Sequence, residues 1–352
     1  MTNFRSENGK IGWISPSNIA IVKYWGKHGQ QYPNNTSLSF TLTNAHSKTI
    51  IEYILRKTPS VGIKLKFMFE GEENPKFAAK VIKYFETLQT IFPWLDKFDY
   101  VIHSSNTFPH SSGIASSASG MSAIALCIVE LDQILSGEII QDTEFYNRAS
   151  MVARLGSGSA CRSVFPYMSL WGDHEDFLDS SNECAIPFDE DLHPVFKTYR
   201  DDILIVSKKE KSVSSTAGHQ LMVGNVYAPA RYQQANKHIS ALKSICRDGN
   251  IDAFGRIAED EALTLHALMM ASNPSFILME PNTIALIKKI RTYREDTQLP
   301  LYFTLDAGPN LHLLYPDSIY DQIAPFIEGE LKPLCLNGLI IEDKVGTGPV
   351  KL

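Results

Sequence analysis

Apolar and polar residues alternate from Val61 to Phe69. Val61, Ile63, Leu65, Phe67 and Phe69 fall on one side and Lys64 and Lys66 on the other. A period of two predicts a half-buried strand. Glu70-Gly71-Glu72-Glu73 then reads as a turn. Asn74-Pro75 reads as a helix start, with asparagine as N-cap and proline where a missing N–H costs nothing. Phe77, Val81, Tyr84, Phe85 and Leu88 follow at helical spacing. Tyr100 to His103 reads as a strand running into Pro109-His110-Ser111-Ser112-Gly113-Ile114-Ala115-Ser116-Ser117-Ala118-Ser119-Gly120. After that small-residue loop, Met121, Ile124, Ala125, Ile128 and Val129 predict a helix with a buried stripe.

Residues 172–200 break the pattern, with Asp173, Glu175, Asp176, Asp179, Pro187, Asp189, Glu190, Asp191 and Pro194. We read this stretch as a domain boundary or surface excursion and divide the chain into 1–195 and 196–352. Beyond it, helices are predicted over 225–247, 252–271, 282–296 and 317–328, and strands over 202–207, 300–305, 311–315 and 338–342. Strands and helices without strict βαβ alternation predict an α+β fold. No internal repeat interrupts this reading.

Composition narrows the field. The 352 residues carry 33 Lys plus Arg against 39 Asp plus Glu, a net charge of −6 that argues against a nucleic-acid partner. Cys127, Cys161, Cys184, Cys246 and Cys335 are scattered, without a CxxC pair or Cys/His cluster. Free thiols in a reducing compartment account for them. The N-terminal residues are polar, and no apolar run of about 18 residues is expected to span a membrane. A soluble, cytoplasmic protein without a membrane or nucleic-acid partner is the expectation.

Four polar segments carry candidate chemistry. The serine-rich loop offers backbone N–H groups and hydroxyls at a helix start, an arrangement that binds phosphate, and Gly113 permits close approach. In Ser17-Asn18-Ile19-Ala20-Ile21-Val22-Lys23-Tyr24-Trp25-Gly26-Lys27, Lys23 interrupts an apolar stretch. Alone it fits a snorkelling lysine as well as a cation aimed into a pocket. Arg154-Leu155-Gly156-Ser157-Gly158-Ser159-Ala160-Cys161-Arg162-Ser163 ends on a guanidinium fork suited to phosphate or carboxylate, or on an arginine facing solvent. Asp306, in Phe303-Thr304-Leu305-Asp306-Ala307-Gly308-Pro309-Asn310, ends an apolar strand and either starts a turn or lines a cleft. Ser212-Val213-Ser214-Ser215-Thr216-Ala217-Gly218 adds hydroxyl donors.

In this order the segments resemble the diphosphomevalonate decarboxylase family, within the superfamily of galactokinase, homoserine kinase, mevalonate kinase and phosphomevalonate kinase. The resemblance runs from about Ser17 to Val345-Gly346-Thr347-Gly348-Pro349. It implies a first domain (1–195) with the ribosomal protein S5 domain 2-like fold, binding nucleotide and substrate, and a ferredoxin-like second domain (196–352) carrying the catalytic aspartate. The implied reaction uses ATP and Mg2+ to phosphorylate the 3-hydroxyl of mevalonate 5-diphosphate, then releases phosphate and carbon dioxide to give isopentenyl diphosphate. Phosphorylation turns a poor leaving group into a good one, and its departure draws electrons from the neighbouring carboxylate. A homodimer is the implied assembly.

The same resemblance assigns roles. Asp306 is the base or orienter at the 3-hydroxyl and Lys23 lies beside it, where an ammonium favours the ionised carboxylate. Tyr24, Trp25, Gly26, Lys27, Ser157, Gly158, Ser159, Ala160, Cys161, Arg162 and Thr216 are the implied substrate-binding positions. Gly113, Ala115, Ser116 and Ser117 are those for nucleotide phosphates; no protein metal ligand is expected. Three features depart from the family pattern. The loop reads Pro-His-Ser-Ser-Gly-Ile instead of Pro-Thr-Ala-Ala-Gly-Leu, Pro166-Tyr167 stands where Gly-Gly is usual, and Thr216 occupies a place where some relatives have arginine. The alternatives are a decarboxylase of mevalonate 5-phosphate, a 3-hydroxyl kinase without decarboxylation, and a silent binder of phosphorylated metabolites.

Overall fold

The computed structural model describes residues 4–58, 61–109, 114, 116–188, 191–209 and 213–352. The first lobe begins with β1 (Asn8–Val22), a short hairpin of β2 (Lys27–His28) and β3 (Tyr32–Pro33), and β4 (Ser37–Leu55). It continues through β5 (Lys64–Phe69), β6 (Glu72–Glu73), α1 (Pro75–Leu88) and β7 (Phe98–Asn106). Then come α2 (Ser116–Ser136), α3 (Asp142–Gly156), β8 (Met168–Trp171) and β9 (Ala185–Pro187).

β1 and β4 form a long antiparallel pair whose register slips between Pro16 and Asn18 and again between Ala20 and Val22. Pro16 has no N–H to give the ladder, and such slips twist a strand and re-aim its end. That end delivers Lys23. β7 pairs antiparallel with β4, β5 runs parallel to β7, and β8 covers the other end of β4.

Local chemistry explains α1. The Asn74 side chain accepts the Phe77 N–H at 3.0 Å, and Val81, Tyr84, Phe85 and Leu88 are buried, as the spacing predicts. The preceding strand is shorter than its alternation: it starts at Lys64, and Val61 is exposed. α2 is buried on nearly every side, because Ala118, Ser122, Ala123 and Leu126 are covered along with Ile124, Ala125, Ile128 and Val129 of the predicted stripe, while Met121 is half-buried. It is long and apolar enough to cross a bilayer, contrary to the expectation of no such run, but most of it is buried in protein, so it is a core helix. α3 had no counterpart in the sequence reading.

The acidic stretch crosses to a second lobe of α4 (Pro194–Lys197), β10 (Arg200–Leu204), α5 (Ser215–Gln220), α6 (Ala228–Asp248) and α7 (Ile251–Met270). It ends with α8 (Pro281–Thr297), β11 (Tyr302–Leu305), β12 (Leu311–Tyr315), α9 (Tyr320–Phe326) and β13 (Ile340–Ile341). Its antiparallel sheet has the order β11-β12-β10-β13. The helix expected over 317–328 breaks into a 3-10 turn, α9 and a π turn; Pro325, inside α9, has no N–H to continue the ladder.

The lobes share a core. Ile19, Ile21, Leu38 and Phe40 pack in one cluster with Phe196, Tyr199, Ile239, Phe254 and Leu314. The chain also returns: β14 (Val350–Lys351) pairs with Trp13 and Ile14 of β1. The buried Asp343 carboxylate accepts N–H groups of Thr43, Asn44 and Ala45 at 2.7–2.9 Å, tying the end of the chain to β4. Where the resemblance leads one to expect Gly-Gly, Tyr167 keeps a left-handed backbone (φ 53°), a conformation costly for a bulky residue. Its carbonyl accepts the Thr41 N–H at 2.9 Å and its own N–H donates to Gly346 at 2.9 Å, which holds it there.

Candidate active site

A cavity of about 520 Å3 opens where β1, α1, α2, the turn after α3, α5 and the loop after β11 meet. Lys23 is one of its lining residues. Its side chain is buried (1% exposed) and Nζ lies 3.0 Å from Asp306 Oδ1. The snorkelling alternative for Lys23 is therefore not realised. Each partner is held from behind by α7. The Lys23 N–H donates to Glu261 Oε2 at 2.8 Å, and His266 Nε2 donates to the Asp306 carbonyl at 3.0 Å. Glu261 is fully buried and also accepts from Arg231 and, at 2.6 Å, from His238 Nδ1. A buried carboxylate needs such partners.

Arg162 lies in the 3-10 turn Gly158–Val164, 2% exposed, so it does not face solvent. Its Nε and Nη1 donate to the hydroxyls of Ser39 and Ser37 at 2.5 and 2.8 Å, and the guanidinium packs on Trp171. Among the described residues no carboxylate lies within ion-pair distance of it. Burial lowers its pKa, and the nearby Asp306 opposes that shift. The fork is thus oriented by neutral hydroxyls and keeps its charge for the cavity it lines.

Of the other expected site residues, Tyr24, Trp25, Lys27, Ser157, Gly158, Ser159, Ser117 and Thr216 line the same cavity. Among the described residues, the buried Tyr24 hydroxyl and Trp25 Nε1 have no hydrogen-bond partner. Burial raises the Tyr24 pKa, so the hydroxyl stays protonated. A Cβ at Gly158 would come within 2.8 Å of that hydroxyl, so glycine is needed for this close approach. Lys27 Nζ donates to Gln31 at 2.7 Å, and partial burial lowers its pKa. Gly26 turns the chain at φ 98° and shapes the wall without lining it. Ser116 opens α2 without lining the cavity, and Ser117 Oγ lies 3.4 Å from Ser157 Oγ.

Ala160 and Cys161 are not brought to the cavity; both are packed into the core of the first lobe. Burial pushes the Cys161 thiol up to about 12, which removes it as a nucleophile. Gly113 and Ala115 lie outside the described residues. The sequence reading also missed lining residues. Lys80, Lys83 and Thr87 of α1 reach the cavity from the polar edge of its apolar stripe, and His219 reaches it from α5. Among the lining residues, Lys23, Lys27, Lys80, Lys83 and Arg162 face a single carboxylate, Asp306. Such a balance suits a small polyanion.

The profile described as the diphosphomevalonate decarboxylase-like N-terminal domain matches residues 15–184, and that of the mevalonate 5-diphosphate decarboxylase C-terminal domain matches residues 202–335. Together they take in most of the chain, one lobe each. The chain belongs to the diphosphomevalonate decarboxylase family. Diphosphomevalonate decarboxylase of Ganoderma lucidum is 29% identical over 339 residues, 89% of this chain and 80% of its own. The Saccharomyces cerevisiae enzyme is 28% identical, over 86% of this chain and 76% of its own. In fold, the mevalonate diphosphate decarboxylase of Staphylococcus aureus superposes with a TM-score of 0.83 at 24% identity, over 98% of each chain. That of Enterococcus faecalis gives 0.79 at 24% identity, over 97% of this chain and 98% of its own. The two-domain α+β architecture of this decarboxylase family is the one described above, and its interlobe cleft is where Lys23 meets Asp306.

Proposed function

We propose that this chain is an ATP-dependent decarboxylase that converts mevalonate 5-diphosphate to isopentenyl diphosphate, ADP, phosphate and carbon dioxide. The observation that carries the reading is the Lys23–Asp306 pair lining a cavity whose other charged walls are all cationic. Family membership agrees with it, and a solved structure of the same fold is a complex with MVAPP, AMPPCP and magnesium.

The roles proposed are those the resemblance implies, and the cavity lining supports several of them. Asp306 meets the 3-hydroxyl and orients it, or takes its proton, as the γ-phosphoryl group arrives. Phosphoryl transfer is loose, so placement of the hydroxyl matters as much as proton removal. Lys23 holds Asp306 in place and lies near the substrate carboxylate until carbon dioxide leaves. Arg162, Tyr24, Lys27, Thr216 and the Ser157-Gly158-Ser159 wall grip the phosphorylated mevalonate. Ser116 and Ser117, with Gly113 and Ala115, take the ATP phosphates. Among the described residues no cluster of His, Cys, Asp or Glu is built to cage a metal. The Ser117 and Ser157 hydroxyls, 3.4 Å apart on the cavity wall, are the protein oxygens that would neighbour Mg2+ brought in with ATP, and the ion would supply charge that neutralises the phosphates. We further propose nucleotide- and substrate-binding (1–195) and catalytic-aspartate (196–352) domains, a homodimeric assembly and a cytoplasmic location. The five free cysteines, four of them buried, support a reducing compartment.

The test is to supply ATP, Mg2+ and, separately, mevalonate, its 5-phosphate and its 5-diphosphate, measuring ADP and carbon dioxide independently. Equal release of both from the 5-diphosphate is expected. Release from the 5-phosphate alone moves the substrate assignment, and ADP without carbon dioxide from every substrate leaves a kinase.

A further inference from the structure

Among the lining residues that have no part in the mechanism above is His219. It stands on α5, 7% exposed, with Nδ1 2.9 Å from the Gly26 nitrogen. An amide N–H only donates, so Nδ1 accepts and the proton of the neutral ring sits on Nε2. The ring lies 4.3 Å from the Tyr24 ring and 4.7 Å from the Trp25 ring, centre to centre. Burial pushes its pKa down to about 3, and Lys27, the charged group acting on it, works in the same direction. Gly218 permits the approach, since a Cβ there would come within 2.5 Å of the Trp25 ring.

α5 therefore docks on the Tyr24-Trp25-Gly26 corner through one hydrogen bond and two ring contacts. The same short helix carries Ser215 and Thr216 to the cavity wall. Tyr24 and Lys27 belong to the opposite side of this joint. If the joint loosens, Thr216 loses its fixed distance from Tyr24 and Lys27, whereas the Lys23–Asp306 pair, held by α7, keeps its place.

We propose that His219 is a positioning residue for substrate binding, a neutral imidazole clamp that sets the hydroxyls of α5 against the Tyr24–Gly26 corner so that both grip one phosphorylated substrate. The proposal rests on the substrate reading given above. It separates binding from chemistry: the clamp governs affinity, and Asp306 governs turnover.

The experiment compares wild type, His219→Phe and His219→Asn. Phenylalanine keeps a ring but leaves the Gly26 N–H without an acceptor. Asparagine offers an oxygen near the position of Nδ1. With saturating ATP and Mg2+, His219→Phe is expected to raise KM for mevalonate 5-diphosphate about ten-fold or more with kcat within a few-fold, and His219→Asn to recover most of the loss. In wild type, 15N spectra of the imidazole are expected to show the Nε2–H tautomer, unchanged from pH 8 to pH 5. Unchanged KM in both variants, a loss confined to kcat, or a His219 that titrates between pH 5 and pH 8 overturns the proposal. A wild type that turns over no phosphorylated mevalonate overturns the functional reading instead, and the tautomer measurement still decides whether the clamp exists.

Discussion

Lys23 and Asp306 are 283 positions apart in the chain and 3.0 Å apart in space. As single residues each had an ordinary explanation, and only their convergence selects the chemical one. Arg162 was legible as a fork, yet its burial was not, because the hydroxyls that hold it come from Ser37 and Ser39 on a distant strand. Glu261, His266 and His219 left no local signal, since each acts on a backbone group that sequence does not place beside it. At this scale Asp306→Asn is expected to lower kcat about 100-fold or more with little change in KM, read by steady-state carbon dioxide release. Arg162→Lys keeps a charge but loses the planar fork that bonds two hydroxyls at once. A clear rise in KM for the phosphorylated substrate is expected, measurable by the same assay or by calorimetric titration.

Among the elements, α1 was readable because its cap and its stripe are both local. β1 was not, because its last residues are buried on both faces and show no alternation. α3 escaped notice because its inner face is partly alanine and serine, with Ala149, Ser150 and Ala153 buried. The serine-glycine run after it folds as a 3-10 turn, a form that its composition does not distinguish from an open loop. α7 supports both halves of the catalytic pair, so damage to it should reach further than its distance from the substrate implies. Glu261→Leu leaves the Arg231 guanidinium buried without its anion and should cost about 3–5 kcal/mol, measurable by denaturant unfolding. Asn74→Ala removes only the α1 cap and should cost about 1 kcal/mol in the same measurement, with KM and kcat unchanged.

For the molecule as a whole, the acidic stretch marks the crossing between the two halves of the chain, but the apolar core joining them leaves no local trace, since its members come from both halves of the sequence. A large apolar interface couples neighbouring domains, so calorimetry is expected to give one unfolding transition; two resolved transitions would contradict this. Acid should weaken the fold through His219. Its folded pKa of about 3 lies below the ordinary value of 6.5, so the unfolded chain takes up the proton first. That contribution is complete above pH 6.5 and declines as pH falls toward 3, by about 1.4 kcal/mol per pH unit within the window. His219→Asn should flatten this part of the stability profile. The pairing of β14 with β1 also bears on how the protein is made. A ribosome delivers Trp13 and Ile14 long before Val350 and Lys351. The margin of the first sheet therefore stays open while the residues between are made and closes only when β14 emerges, so a nascent chain stalled before that point exposes a ready template for wrong partners.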